Sequence, residues 1–169
     1  MNEQPYTQGL RTLMAKLWVE RHVLELLAYK LVCAKLVMAA DLRRYVAPAL
    51  AGVQQVVEKI QLAELDRAIA LAHLGEEWRV PAATLTLSYL AENAPEPART
   101  MLEEHRQAFR RLISEIEETA AENRKLASAA LVDIQSTLGV LVGAETGATY
   151  GATGHRESGP VPRRISQIL

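Results

Sequence analysis

The stretch from Pro97 to Gly143, PARTMLEEHRQAFRRLISEIEETAAENRKLASAALVDIQSTLGVLVG, decides how the rest of the chain is read. No Gly or Pro interrupts it between Pro97 and Gly139, so it reads as one long helix. Its first half is dense in charge from Glu103 to Lys125. Leu102, Phe109, Leu112, Ile113 and Ile116 recur among those charges at three- and four-residue steps, the mark of one buried face. After Lys125 the charges nearly vanish: Asp133 stands alone before Glu145. On a wheel of about 100° per residue, Leu126, Ala127, Ala130, Leu131, Ile134, Leu138, Leu141 and Val142 fill an arc of roughly 160°. Thr137 is the only polar residue inside it. Packing against one partner needs a stripe of only ~100°. The surplus predicts a second apolar contact, with another helix of the chain, another subunit or a client. The competing reading is that the whole arc is core.

At 169 residues the chain is long enough for one domain with a real core. Apolar residues make up 49% of it but aromatics only 5%, which suits helix-on-helix packing of Leu, Val, Ile and Ala. A net charge of −1 makes no electrostatic case for nucleic acid. The single Cys33 excludes an internal disulfide and reads as a buried, inert thiol. Residues 1–9 lack the basic-then-apolar layout of a signal peptide, and no apolar run approaches the ~20 residues of a membrane span. The expectation is a cytoplasmic protein without membrane insertion.

Ahead of the long helix, Leu10, Leu17, Leu24, Leu31, Met38 and Tyr45 lie seven apart, with Leu13, Leu27 and Ala34 at the intermediate position. The repeat predicts a first helix from about Thr7 to about Tyr45. Glu20 takes the place of one intermediate apolar residue, either to pair with a cation across the bundle or to reach solvent along its stem. Pro48 is expected to end or kink this helix. A second helix follows from about Pro48 to Leu74, with Glu64 and Arg67 placed to pair and Gly75 as its left-handed cap.

Thr84–Leu90 alternates like a strand, but it has no partner strand, so a short helix capped by Thr84 and covering one end of the bundle is preferred. Asn93-Ala94-Pro95-Glu96-Pro97 is a turn and the start of the long helix. Asn123 falls on the apolar side of that helix. It reads as a register-setting buried amide, or alternatively as a client contact. From Gly143 onward Gly, Thr, Ser and Pro predict a flexible tail. The tail ends in a small basic-apolar patch, Arg163–Leu169, which is a docking handle or nothing. The expected organisation is all-α: an antiparallel long-helix bundle or coiled coil over residues 1–143, then a flexible Gly-rich tail over 144–169.

Catalytic and metal-binding patterns are missing. The residues three before His22, His73, His105 and His155 are Val19, Ala70, Leu102 and Ala152, so no Glu-x-x-His pair exists for a di-iron or di-manganese bundle. Metal-spaced Cys/His clusters, a phosphate-cradling Gly-rich loop and Gly-x-Ser-x-Gly are likewise lacking. Histidine phosphotransfer bundles place a small residue one turn after the reactive histidine. Here Leu26 follows His22 and Phe109 follows His105. The chain is read as a non-enzyme without cofactor or metal.

Leu24-Glu25-Leu26-Leu27-Ala28-Tyr29-Lys30-Leu31 and Glu64-Leu65-Asp66-Arg67-Ala68 stand in the first two helices, and Leu74-Gly75 is followed by Thr84-Leu85. Asn123-x-x-Leu126 opens the charge-poor segment, and Gly143 leads to Tyr150-Gly151-Ala152-Thr153-Gly154. In this order and spacing the chain resembles the FlgN-type flagellar export chaperones over most of its length. The basic, Pro-containing end after Gly159 departs from that pattern. The resemblance implies a helical bundle with a mobile C-terminal region and no enzymatic activity. It implies binding of the C-terminal helical segments of the flagellar hook–filament junction proteins, protection against premature assembly, and delivery to the cytoplasmic domain of the flagellar export gate. It maps client binding to Leu126–Val142, the segment the wheel selects. Tyr150, with its aromatic area and one hydroxyl, is by its own chemistry a candidate for docking on the gate, the alternative being that the tail is a spacer. The competing reading is a structural coiled-coil adaptor or obligate oligomer subunit without a client, and a homo-oligomer stays open under both.

Overall fold

In the computed structural model, which describes residues 6–145 and side chains from Tyr6 to Val140, the described chain is helical from end to end, without strands. Thr7 starts it: its hydroxyl accepts the Leu10 N–H at 3.3 Å, capping helix α1, Gln8–Ala39. Helix α2, Arg43–Trp78, runs back along α1. A single 3-10 turn, Ala82–Thr84, and the short helix α3, Leu87–Asn93, cross to α4, Ala98–Glu145. The chain divides into two compact units, one ending at Leu126 and one beginning at Ala127.

Pairings along the first unit set its topology. Lys16 meets Asp66 at 2.6 Å, and the Leu27–Leu31 level of α1 packs with Val56, so α1 and α2 are antiparallel. Trp18 meets the His105 ring at 4.7 Å and Lys35 meets Glu122 at 2.6 Å, so α4 runs in the direction of α1 and against α2. Leu10, Leu13, Leu17, Leu74, Leu90 and Leu102 are fully buried where α1, α2, α3 and α4 converge. The heptad residues thus do what their spacing predicts through Leu31.

The first helix ends earlier than the heptad suggests. Asp41 takes a left-handed conformation, φ 50°. Leu42 N–H bonds to the Val37 carbonyl at 3.1 Å and Asp41 N–H to Met38 at 3.1 Å, the two bonds of a Schellman turn. Tyr45 therefore lies beyond the turn, 44% exposed, and continues the seven-residue spacing only by coincidence. Pro48 neither ends nor starts a helix: it sits inside α2. Its missing N–H would have served Arg44, an exposed residue near the helix start whose carbonyl water can satisfy.

A second Schellman turn ends α2, with Arg79 left-handed at φ 55° and Val80 N–H bonded to the Gly75 carbonyl at 2.9 Å. Gly75 is thus a helical residue rather than the cap. It is needed because the chain folds back onto it: a Cβ there would lie 2.7 Å from the Val80 carbonyl oxygen. Gly75→Ala is expected to lower stability by about 1–3 kcal/mol despite alanine's better helix propensity, because backbone, not a flexible side chain, must give way. An unchanged or raised melting temperature would show that the turn relaxes freely.

The preferred short helix over one end of the bundle is present as α3, but Thr86 caps it, accepting Tyr89 N–H at 3.2 Å, and Thr84 belongs to the 3-10 turn. The alternation of Leu85, Leu87 and Tyr89 arises because a turn precedes the helix: Leu85 and Leu90 enter the core from two different elements. On α4, Leu102 and Phe109 are buried as predicted, whereas Ile113 is 49% exposed. Cys33 is half-buried rather than buried.

Candidate functional site

The first unit absorbs its polar exceptions structurally. Glu20 is buried and meets Arg67 of α2 at 2.7 Å, close enough for an ion pair though not aligned as a hydrogen bond. Arg67 thus turns across the bundle instead of toward Glu64 on its own helix. Burial raises the Glu20 pKa above the ordinary carboxylate value, against the Arg67 charge, which lowers it, while nearby Glu64 adds to the rise. An acid whose folded pKa is raised holds its proton more tightly when folded, so the bundle gains stability as pH falls through that value. Arg67→Leu removes the compensating cation and is expected to cost about 1–3 kcal/mol at pH 7. The deficit should shrink as the pH approaches 4.5, the ordinary carboxylate value. Melts at pH 7 and pH 5 check this; a deficit independent of pH would sink it.

His105 is 1% exposed, held edge-on to Trp18 and stacked on Phe109 at 6.0 Å, and neither ring nitrogen has a hydrogen-bond partner. Burial, with repulsion from Arg21, lowers its pKa, so the imidazole sits neutral in the core and out of reach of a phosphodonor. Asn123 is buried and donates its Nδ2 to the Leu31 carbonyl at 3.0 Å. A bond from one helix's amide to the other's backbone at one level resists sliding, which fits the register reading. Among the described residues no group of His, Cys, Asp and Glu is arranged to hold a metal ion.

One contact was not legible at all. The Glu77 carboxylate, from the end of α2, accepts the Gly9 N–H through both oxygens at 3.1 and 3.0 Å. It caps the N-terminus of α1 from another helix, where partial positive charge gathers. A Cβ on Gly9 would lie 2.5 Å from the carboxylate, so the small residue opens the approach. Only the fold brings the ends of α1 and α2 together, and nothing local in either stretch signals it.

The second unit begins at Ala127, within α4. Of the residues that the sequence groups on one arc, Leu126 is half-buried, while Ala127, Ala130, Leu131, Ile134 and Leu138 are all exposed, Leu131 at 60% and Leu138 at 53%. Leu141 and Val142 continue the helix, but their side chains lie outside the described residues, as does Tyr150 altogether. The core reading therefore fails for the arc as far as it is described. Thr137, its one polar member, spends its hydroxyl on the Asp133 carbonyl at 2.9 Å, so it demands no partner from whatever covers the arc. Val132 and Val140, exposed at 62% and 71%, lie off the arc and were not singled out by the wheel. What the geometry offers, among the described residues, is a continuous helix with an apolar arc, one carboxylate at its edge, and a single polar member, Thr137, whose hydroxyl is already bonded.

A family model described as FlgN protein matches residues 10–158 of the chain. No curated protein and no solved structure matches it.

Proposed function

The chain belongs to the FlgN family, which makes it a flagellar export chaperone, and we propose that its clients are the hook–filament junction proteins. Their C-terminal helical segments lie along the arc of Leu126, Ala127, Ala130, Leu131, Ile134, Leu138, Leu141 and Val142. The observation that supports this is the exposure of Leu131, Ile134 and Leu138, each half or more open to solvent on one helix. An amphipathic helix buries its own apolar side and this one together, and neither is left free to assemble prematurely. Titration of the purified chain with such a segment, before and after a charge is placed at Leu138, tests the reading.

Delivery is the second part of the proposal. Beyond Gly143 the sequence has little apolar surface apart from Tyr150 and the Arg163–Leu169 patch. A tyrosine brings aromatic area and one hydroxyl at low entropic cost, which suits a brief contact with the cytoplasmic domain of the export gate. Truncation after Gly143 is expected to leave client affinity within about threefold, a change of under 1 kcal/mol, while export of the client falls. Normal export by the truncated chain would reduce the tail to a spacer.

A further inference from the structure

We propose that the tip of the α1–α2 hairpin is a docking surface for an anionic phospholipid bilayer, a role that does not depend on the client reading. Every residue from Ala39 to Tyr45 is exposed, so the tip is convex rather than grooved. Around it Leu36 is 60% exposed and Leu42, Tyr45 and Leu50 are 44–46% exposed. Aliphatic side chains flanking a sharp turn are poor partners for a helix, which needs a groove, but they can enter the boundary between headgroups and acyl chains.

The charge around them has one sign. Lys35, Arg43, Arg44 and, on α4 beside Asn123, Arg124 and Lys125 outnumber Asp41 and Glu122 there, while Glu117 and Glu118 lie a turn further from the tip. The chain as a whole carries −1, so this end is basic and the remainder is acidic. The Asp41–Arg43 and Lys35–Glu122 pairs hold the tip's two carboxylates. The Arg44 guanidinium lies 4.5 Å from the centre of the Tyr45 ring, an aromatic and a cation side by side as at a headgroup layer. A second copy of this surface would repel it. No described helix is long and apolar enough to cross a membrane, so the contact is peripheral.

The test is co-sedimentation of the full chain with vesicles of phosphatidylcholine alone and of phosphatidylcholine with phosphatidylglycerol. Binding is expected only to the anionic vesicles and should fall at high salt. Arg44→Glu should weaken it about tenfold or more. Leu36→Gln with Leu50→Gln should weaken it independently, and exposed positions keep both variants folded, as circular dichroism would verify. Absence of sedimentation, or equal binding to neutral vesicles, overturns the proposal. Binding unchanged by both variants also overturns it, placing the contact elsewhere, as does capture of poly-glutamate without vesicle binding, which would make the partner an acidic polypeptide. A tip-dependent dimer on gel filtration without vesicle binding would overturn it too.

Discussion

Leu138→Asp is expected to leave the free chain folded, with stability within about 0.5–1 kcal/mol of the unaltered protein, and to weaken client binding by about 2 kcal/mol or more. Leu138 is 53% exposed on α4, so a carboxylate there stays in water and costs only the small helix-propensity difference between Leu and Asp. In the complex the same carboxylate must be desolvated at the centre of an apolar contact, and an anchor is lost as well. Two kcal/mol is roughly thirtyfold in affinity. Leu131→Asp, at a site 60% exposed, should behave alike. A permanent oligomer would give a different pattern: a changed elution volume without client present. Severe destabilisation of the free chain would return the arc to the core.

Phe109→Asp is the matching change on the same helix with the opposite expectation. Phe109 is 8% exposed, stacks on His105, and belongs to the cluster that joins all four helices. Asp there leaves a cavity and buries a carboxylate among apolar side chains beside the neutral His105 ring, and about 3–5 kcal/mol of stability should go. Against a total of about 5–15 kcal/mol, that unfolds much of the population at physiological temperature. Thermal melts of both variants decide between the two halves of α4. Equal loss of stability by Phe109→Asp and Leu138→Asp, with client binding lost only through unfolding, would count against the arc as a binding surface.

Helix identity and helix faces were legible because both arise from short-range repeats. Leu10, Leu17 and Leu31 are buried at the predicted seven-residue steps, and Asn123 sits on the buried side where its register with Phe109 and Ile116 places it. Where helices end was less legible. Pro48 and Gly75, the residues that break helices most strongly by themselves, both lie inside α2. The turns fall instead at Asp41 and Arg79, ordinary residues held left-handed by carbonyls that the preceding helix leaves unpaired.

The family resemblance, the all-helical class, the segment Leu126–Val142 and the odd position of Glu20 are set by residue order alone, since periodicity and composition express which faces must leave water. Only the tertiary structure decided what each exception meets: Arg67 for Glu20, the Leu31 carbonyl for Asn123, Gly9 for Glu77. It also decided that Ala127, Ala130, Leu131, Ile134 and Leu138 of the arc are exposed while Phe109 on the same helix is not. A wide apolar arc has the same pattern whether it is covered or bare. Coverage depends on how far the other helices reach along it, which is a matter of distance through space.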